Sequence, residues 1–362
     1  MSDQSAQCLS NEGYALLEQG RYPEALNKLN QALTMAPVNA LILYRIGLVH
    51  LETNQLAAAL AAFERALAYE PANARTHNNR GSCLEMMGHT AAAEAGYRRA
   101  LTLDSKLPQP YINLGHLLET QNKKHEAIEL YQLAIKRGLD ATLFEHHLAA
   151  ISGEVTDRAH ENWVRSTFDN FASSFDTHLQ QLGYDAPEKL GAMLRSHASA
   201  PLDILDLGCG TGLSGLALVT LKGSLTGVDL SEKMLIRARE RGIYDALFEG
   251  EVHTWLRNAG SAQFNVVISA DVFAYIGSLD EVFTEVTRVL KPTGWFTFTT
   301  EECETDDYQL LPTGRYKQSQ DYIHRLAEGR FSVEISEPAT IRIESGVPVA
   351  GRLYLLRKLM AR

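Results

Sequence analysis

Small and apolar residues recur at a fixed spacing over about the first 140 residues of the chain. Within each 34-residue unit the pattern predicts two antiparallel amphipathic helices, because small residues let helix backbones approach closely and a bulky residue fills the gap between neighbouring pairs. No unit buries its apolar face alone, so we expect the four units to stack into a superhelix. The repeated positions are Gly13, Gly47, Gly81 and Gly115; Ala25, Ala59, Ala93 and Ala127; Ala32, Ala66, Ala100 and Ala134; and the bulky Leu29, Phe63, Tyr97 and Tyr131.

Strand-like apolar runs replace this pattern after residue 155 and alternate with helical stretches. Such alternation predicts a mostly parallel sheet with helices on both faces. The last two runs have no helix-length separator, so we expect them to close a seven-stranded sheet as an antiparallel hairpin. The runs are LDILDL (202–207), LTGVDL (225–230), ALFEG (246–250), FNVVISA (264–270), GWFTFTT (294–300), FSVEIS (331–336) and GRLYLLRK (351–358).

The two patterns divide the chain into a helical array and an α/β domain. We assign residues 1–141 to the array, with repeats that start at about residue 6, and residues 156–362 to the α/β domain. Residues 142–155 are assigned to a capping helix and linker, because ATLFEHHLAAI (141–151) is apolar on one side and suits the open end of the last repeat. The predicted fold class is therefore α + α/β.

A glycine-rich loop, DLGCGTG (206–212), follows the first predicted strand and opens the next helix. Glycine at such a turn permits positive φ and close approach of a ligand to the backbone. Asp229 ends the second strand, where a carboxylate can accept two hydrogen bonds from a ribose diol. The residues at 210–215 also satisfy the dinucleotide pattern GxGxxG, so glycine spacing alone leaves two nucleotide classes open. Asp206 separates them, since a carboxylate there repels a pyrophosphate but suits a cationic ligand.

The motifs DLGCGTG and VDLS (228–231) resemble those of class I S-adenosylmethionine-dependent methyltransferases, over about residues 156–362. The resemblance implies a Rossmann-like fold and S-adenosylmethionine as cofactor, with Asp206 and the glycine loop around its methionine part and Asp229 on its ribose. The implied cofactor-binding residues are Asp206, Gly208, Cys209, Gly210, Gly212, Asp229, Leu230 against the adenine, Glu251 near the adenine amino group, and Ala270 beside the methyl group. Asn265 departs from the usual pattern, in which an aspartate opens that strand.

The repeated units resemble tetratricopeptide repeats over about residues 6–141. In that family the position two residues before the repeat glycine faces a concave groove, where asparagine can hydrogen-bond an extended peptide. Asn11, Asn79 and Asn113 hold this position, and Arg45 takes it in the second unit. The resemblance implies a protein or peptide partner, although asparagine is also simply frequent at this site of the consensus.

Three aromatic residues stand at helical spacing before the sheet: Phe168, Phe171 and Phe175. Such a stripe is typical of a buried helix face, but the segment also resembles the N-terminal helices that cover the cofactor in small-molecule methyltransferases. With the C-terminal GRY…RLYLLRK stretch, the whole chain is similar to a bacterial group of predicted methyltransferases that contain tetratricopeptide repeats. That group is defined by architecture and implies no specific substrate.

Acceptor-side groups are expected after the fourth strand, because ligands of open parallel sheets lie at the carboxyl ends of the strands. Asp271 and Tyr275 stand there as catalytic candidates, and we predict that Asp271 positions the acceptor. His178, on the preceding helical segment, is the third catalytic candidate, and Glu301 and Tyr316 are further acceptor-side groups. A general base helps when the acceptor is a hydroxyl and is less needed for a thiolate or a neutral amine.

Composition and charge narrow the partners. The net charge is -10 and acidic residues outnumber basic ones in both halves, which does not favour a nucleic-acid surface. The apolar stretches are shorter than a membrane span and the N-terminus is polar, so we expect no membrane contact and a cytoplasmic location. The cysteines show no metal-ligand spacing, so we expect no metal and predict free thiols at Cys8, Cys83, Cys209 and Cys303.

Three functions remain open from the sequence. The first is methylation of a small metabolite, with the repeats as a docking arm for a protein. The second is a protein methyltransferase whose groove recruits the polypeptide substrate. The third is an interaction scaffold with a vestigial cofactor site, which the intact glycine loop with both Asp206 and Asp229 disfavours.

Overall fold

The computed structural model of the chain describes residues 2–172, 174–304, 307–344 and 346–360. Contacts divide the chain into two compact units, Met1–Leu148 and Ala149–Arg362. The division falls inside the segment that the sequence assigns to a capping helix and linker.

The first unit consists of helices that pair along the chain, as the repeat pattern predicts. Asn39 and Asn73 begin the third and fifth helices as N-caps, because their side-chain oxygens accept the backbone N–H groups of Ile42 and Thr76 at 3.1 and 3.0 Å. The helices are α1 (Ser2–Glu18), α2 (Tyr22–Met35), α3 (Ala40–Glu52), α4 (Leu56–Tyr69), α5 (Ala74–Met86), α6 (Thr90–Leu103), α7 (Gln109–Thr120), α8 (Lys124–Lys136) and α9 (Thr142–Ser152), which runs across the division.

The repeat glycines are explained by the bulky residue of the same repeat. A Cβ atom at Gly47 would lie 2.5 Å from the Phe63 ring, and one at Gly115 would lie 2.1 Å from the Tyr131 hydroxyl. Gly13 and Gly81 stand in the same relation to Leu29 and Tyr97, at 2.7 Å in both cases. The rings of Phe63 and Tyr131 are fully buried. Each helical pair is therefore locked by a bulky side chain seated on a glycine.

The second unit is built on a mixed sheet whose parallel part has the order β3-β2-β1-β4-β5. Strand β9 pairs antiparallel with β5, and β8 pairs antiparallel with β9, which confirms the predicted C-terminal hairpin. The strands are β1 (Leu202–Leu207), β2 (Lys222–Asp229), β3 (Ala246–Glu249), β4 (Phe264–Ser269), β5 (Leu290–Cys303), β6 (Tyr308–Leu310), β7 (Tyr316–Ser319), β8 (Phe331–Glu344) and β9 (Val347–Lys358).

Strands β6 and β7 add to the seven strands that the sequence predicts. They form a short antiparallel hairpin, and β7 pairs parallel with the last residues of β5. These strands are only three and four residues long, which is too short for alternation of apolar and polar residues to predict them from the sequence. The consequence is an extra wall at the carboxyl end of the sheet, where the candidate site lies.

Helices cover both faces of this sheet. Along β1, Leu202 and Ile204 belong to one apolar cluster, and Leu205 and Leu207 belong to the other. Burial on both faces explains why the strands appear in the sequence as continuous apolar runs. The helices are α10 (Glu161–Phe171), α11 (Phe175–Gln181), α12 (Ala186–Arg195), α13 (Leu213–Leu218), α14 (Glu232–Glu240), α15 (Val252–Asn258), α16 (Asp280–Val289) and α17 (Gln320–Ala327). Within the described ranges, no helix has both the length and the apolar character needed to cross a membrane.

Candidate functional site

A cavity of about 270 Å³ opens at the carboxyl ends of β1, β2 and β4. This is the edge at which ligands of open parallel sheets bind. The glycine loop forms one wall, helices α10 and α11 form a second, and residues of the β6–β7 turn and of β8 complete the enclosure. Of the predicted site residues, the cavity is lined by Gly208, Cys209, Gly210, Asp229, Leu230, Glu251, Ala270, Asp271, Tyr275 and His178.

The glycine loop adopts backbone angles that require glycine. Gly208, Gly210 and Gly212 have φ of 67°, 53° and 96°, in the left-handed region. A Cβ atom at Gly208 would also lie 2.3 Å from a methyl group of Val272, which follows β4, the neighbour of β1 in the sheet. The loop therefore brings its backbone close to the end of β4 and leaves the cavity side open for a ligand.

Asp206 is fully buried behind this loop and does not itself line the cavity. Its Oδ2 accepts the Tyr244 hydroxyl at 2.7 Å, whereas its Oδ1 has no hydrogen-bond partner in the described part of the chain. Burial raises the pKa of Asp206 to about 7, against the lowering effect of the Tyr244 hydroxyl. The Asp206 carboxyl group therefore lies beneath the loop in surroundings that disfavour its charge, and its direct contact with the methionine part stays a prediction.

Asp229 presents an oriented carboxylate to the cavity. Its Oδ2 accepts the backbone N–H of Gly210 at 2.8 Å, and its Oδ1 accepts the backbone N–H of Ser231 at 2.9 Å. Burial raises the pKa of Asp229 to about 6, although these backbone N–H groups act in the opposite direction. Each oxygen keeps further acceptor capacity. The side chain is therefore fixed between the glycine loop and α14, in the position expected for a diol ligand, with Leu230 beside it on the lining.

Glu251 lines the cavity but is already engaged with its own helix. Its Oε2 accepts the backbone N–H of Thr254 at 2.8 Å, as the N-cap of α15, and its Oε1 lies 2.5 Å from Nδ1 of the buried His253. Burial acts to raise its pKa, but the His253 and Thr254 hydrogen bonds outweigh that effect and lower the pKa to about 2. The sequence did not anticipate His253, and the role of Glu251 at the adenine stays a prediction.

Asp271 lies at the other end of the cavity in an unusual backbone conformation. Its φ is 59°, and its backbone N–H donates to the Thr299 hydroxyl at 2.8 Å. Its Oδ1 accepts Nη2 of Arg315 at 3.0 Å, and both its oxygens accept Nη1 of Arg342 at 3.0 to 3.1 Å. Burial raises its pKa, whereas both guanidinium groups act to lower it. A left-handed conformation in a non-glycine residue is sustained only where the surroundings hold it, and here two arginines do so.

Glu301 completes a four-residue network with Asp271, Arg315 and Arg342. Its Oε1 accepts Nε of Arg315 and Nη2 of Arg342, both at 2.5 Å. The side chains of Glu301 and Arg342 are 3% and 2% exposed, so the charges are compensated inside the protein. The sequence placed Glu301 among the acceptor-side groups but missed both arginines, which reach the cavity from the β6–β7 turn and from β8.

Tyr275 and His178 face the cavity from different elements. Tyr275 ends the short 3₁₀ turn Phe273–Tyr275, and its hydroxyl accepts Nη1 of Arg315 at 3.0 Å. The Arg315 guanidinium also lies 5.2 Å from the centre of the Tyr275 ring. His178 lies on α11, with its ring stacked on Phe171 at 6.2 Å. Tyr316 is fully buried outside the cavity, with its hydroxyl 2.5 Å from that of Thr156.

Helices α10 and α11 are tied to the tips of the sheet by polar contacts. Asp169 accepts the Ser231 hydroxyl and Asp176 accepts the Thr211 hydroxyl, both at 2.5 Å. Arg241 also pairs with Asp176. The aromatic residues Phe168, Phe171 and Phe175 line the cavity. The aromatic stripe of the sequence therefore forms part of the cavity wall.

The asparagines predicted to face the groove of the first unit each bond to a neighbouring repeat. Asn11 accepts Nη1 of Arg45 at 3.0 Å, and Nδ2 of Asn79 donates to the Tyr44 hydroxyl at 3.1 Å. Nδ2 of Asn113 donates to Oδ1 of Asn78 at 3.1 Å. These contacts stabilise the stacking of repeats, and peptide binding by these residues stays a prediction.

Comparison with known proteins agrees with this geometry. The family described as a methyltransferase domain matches residues 205–298, and families described as tetratricopeptide repeats match residues 10–67, 44–108 and 108–137. Over 173 residues the chain is 28% identical to a malonyl-[acyl-carrier protein] O-methyltransferase of Legionella pneumophila. The aligned region covers 45% of this chain and 57% of the relative. A protein of the same name from Geobacter sulfurreducens is 31% identical over 144 residues, covering 37% and 51%. The chain thus spans about half the length of these two curated relatives.

One solved structure is similar to part of the chain. It is the 1,6-didemethyltoxoflavin-N1-methyltransferase of Burkholderia thailandensis with bound 1,6-didemethyltoxoflavin and S-adenosylhomocysteine, with a TM-score of 0.44, 18% identity, and coverage of 54% of this chain and 88% of that one. The family matches agree with the repeat pattern, the sheet order and the glycine loop. The chain therefore carries tetratricopeptide repeats followed by a methyltransferase domain of the S-adenosylmethionine-dependent class.

Proposed function

We propose that this chain transfers the methyl group of S-adenosylmethionine to a small-molecule acceptor bound at the Asp271 end of the cavity. The observation that carries the proposal is that the two ends of a single cavity are lined by chemically different groups. One end has the glycine loop and the oriented Asp229 carboxylate, and the other has Asp271, Tyr275 and two guanidinium groups. Methyl transfer needs this division, because the donor and the acceptor must be held in line.

The residues present fit the proposed cofactor. The glycine loop leaves no side chain at Gly208 or Gly210 to fill the space above it, and Asp229 is turned towards that space by backbone N–H groups. The buried Asp206 keeps an unpartnered oxygen beneath the loop, and its ionised form would suit a cationic ligand and oppose a pyrophosphate. Asp229 would hold the ribose hydroxyls, Leu230 would pack on the adenine, and Ala270 would lie beside the methyl group.

When bound, S-adenosylmethionine supplies a methyl group activated by the positive charge on its sulfur. The chain's own task is to align the acceptor and to exclude water. Helices α10 and α11, tied down by Asp169 and Asp176, enclose the cavity on one side. Asp271 acts as a positioning residue in this proposal, because its carboxylate contacts the two arginines that line the acceptor end.

A binding and transfer experiment tests this function. The purified full chain is titrated calorimetrically with S-adenosylmethionine and, as a control, with NAD. It is then incubated with methyl-tritiated S-adenosylmethionine and a cell extract separated into protein and small-molecule fractions. We expect binding of S-adenosylmethionine, none of NAD, and label in the small-molecule fraction. Binding of NAD alone would refute the cofactor, and label confined to the protein fraction would favour the polypeptide as acceptor.

The repeats have a separate role in this proposal, as a docking arm for a protein partner. Asn79 and Asn113 are the groove residues to change in the full chain, because their amides bond to other residues of the repeat array and lie outside the cavity of the second unit. Alanine at both positions is expected to leave S-adenosylmethionine affinity unchanged and to reduce recovery of proteins that co-purify with the wild-type chain. We also propose a cytoplasmic location, which the cysteines Cys8, Cys83, Cys209 and Cys303 support, because they form no disulfide within the described part of the chain.

A further inference from the structure

Two guanidinium groups line the acceptor end of the cavity, and both reach it through irregular features of the fold. Arg315 stands in the turn between β6 and β7, where the Leu311 N–H donates to the Arg315 carbonyl at 2.8 Å and closes the turn. Arg342 follows a register shift between Thr340 and Arg342 in β8. Bulges of this kind redirect a side chain and are frequent beside active sites. The turn and the bulge thus deliver two cations to one place.

Arg315 keeps hydrogen-bonding capacity that its protein partners do not use. A guanidinium has one N–H on Nε and two on each Nη. Within the described ranges, Nε donates to Glu301, Nη1 to Tyr275 and Nη2 to Asp271, one bond each. One N–H therefore remains on each Nη, in a side chain that is only 15% exposed. Buried donors of this kind are normally paired, and the cavity is the place where a ligand can pair them.

The carboxylates at this end are committed to the arginines. Asp271 and Glu301 each accept from both guanidinium groups, and Glu344 accepts Nε of Arg342 at 2.6 Å. Uptake of a proton by Asp271 would weaken its ion pairs with both guanidinium groups, although burial raises its pKa and so acts in the opposite direction. An acceptor that arrives ionised needs neither carboxylate as a base.

We infer that the acceptor is a small-molecule carboxylate, bound through the unused N–H groups of Arg315 with Arg342 as the supporting cation, and that the product is its methyl ester. Two neighbouring N–H donors of arginine match the two oxygens of a carboxylate. A carboxylate oxygen forms the bond to the methyl carbon while the methyl–sulfur bond breaks, and that electron pair stays on sulfur. No proton moves, so no base is required. This inference rests on the proposed methyl transfer.

Binding to the complex with S-adenosylhomocysteine tests the inference directly. The full chain, saturated with S-adenosylhomocysteine, is titrated with malonate, succinate and benzoate, and with the amide of each acid. We expect at least one acid to bind about tenfold or more tightly than its amide, because a charge-assisted hydrogen bond is worth that much. Acids that bind no better than their amides would overturn the inference.

Variants separate recognition of the acceptor from support of the fold. Arg315→Gln is expected to remove the preference for the acid, and Arg315→Lys to reduce it, since lysine keeps the charge but loses the fork. Arg352→Gln is the matched control, because Arg352 is a largely buried arginine that pairs with Glu302 and does not line the cavity. S-adenosylhomocysteine affinity should be unchanged in all three. A loss of that affinity in Arg315→Gln would assign Arg315 to the cofactor and overturn the inference.

The labelled product distinguishes this inference from the proposed function. Methyl esters release methanol in mild alkali, whereas methyl groups on nitrogen, sulfur or an ether oxygen do not. We expect tritium in the small-molecule fraction to become volatile on alkaline treatment. Alkali-stable label would overturn the carboxylate and leave methyl transfer intact. Label in neither fraction, with S-adenosylmethionine bound, would overturn the proposed function itself.

Discussion

Replacement of Asp229 by alanine tests the centre of the cofactor site. The carboxylate bonds to the N–H groups of Gly210 and Ser231 and is proposed to accept the two ribose hydroxyls. Hydrogen bonds to a charged group contribute about 1.5–3 kcal/mol. We therefore expect Asp229→Ala to weaken S-adenosylmethionine binding by about 1–3 kcal/mol, which is roughly fivefold to more than a hundredfold in Kd.

The stability of the ligand-free chain should respond differently. The pKa of Asp229 is raised to about 6 from an ordinary value of 3.8, so burying its charge at neutral pH costs roughly 3 kcal/mol. The variant removes that cost but leaves two backbone N–H groups without their acceptor, at about 1–3 kcal/mol each. The effects oppose each other, and we expect a small change in Tm beside a large loss of affinity.

Calorimetric titration and thermal unfolding measure these two quantities. Asp203→Ala is the control, because Asp203 is an aspartate near the start of β1 whose partners are Ser224 and Lys291, outside the cavity. The control should bind S-adenosylmethionine as the wild type does. If Asp229→Ala also kept wild-type affinity, the assignment of the cavity to a ribose-bearing ligand would be wrong.

Three further predictions concern stability. Burial raises the pKa of Asp206 to about 7 from an ordinary 3.8, so between these pH values the folded chain binds more protons than the unfolded chain. Tm should therefore fall as pH rises from about 4 to 7. Asp206→Asn should flatten this profile, and an unchanged slope would contradict the raised pKa of Asp206. Glu301→Ala removes a buried carboxylate that accepts from both guanidinium groups and should lower the free energy of unfolding by about 3–5 kcal/mol, measured with urea. A loss below 1 kcal/mol would count against the network. Gly115→Ala puts a Cβ 2.1 Å from the Tyr131 hydroxyl and should cost about 1–3 kcal/mol, seen as a lower Tm, whereas a neutral result would mean that the ring shifts freely.

The sequence predicts features whose causes are local. Gly208, Gly210 and Gly212 adopt positive φ, which glycine alone adopts readily. The residue types themselves therefore predict the loop. The repeat glycines are legible for a similar reason, since each one faces a bulky residue of its own repeat. Asp229 is found because it ends a strand one crossover after the loop. In each case the partner lies at a fixed distance along the chain.

The sequence did not predict most of the contacts at the end of the cavity that holds Asp271. Arg342 enters the cavity only because β8 shifts register beside Thr340, and no residue pattern marks that shift. Arg315 depends on a hairpin whose strands are too short to show alternation. Asp206 was expected on the cavity wall, and the structure places it behind the loop against Tyr244, a residue in no motif. These positions follow from contacts between distant segments.

The amide contacts between successive repeats give the helical array a preferred pitch. Each contact joins a residue to one in the preceding repeat, as Arg45 joins Asn11 and Asn113 joins Asn78. A change in the stacking of the repeats would lengthen these bonds. A polypeptide that used the same amides would have to release them first. Binding of a partner would then be coupled to a change in the stacking of the repeats.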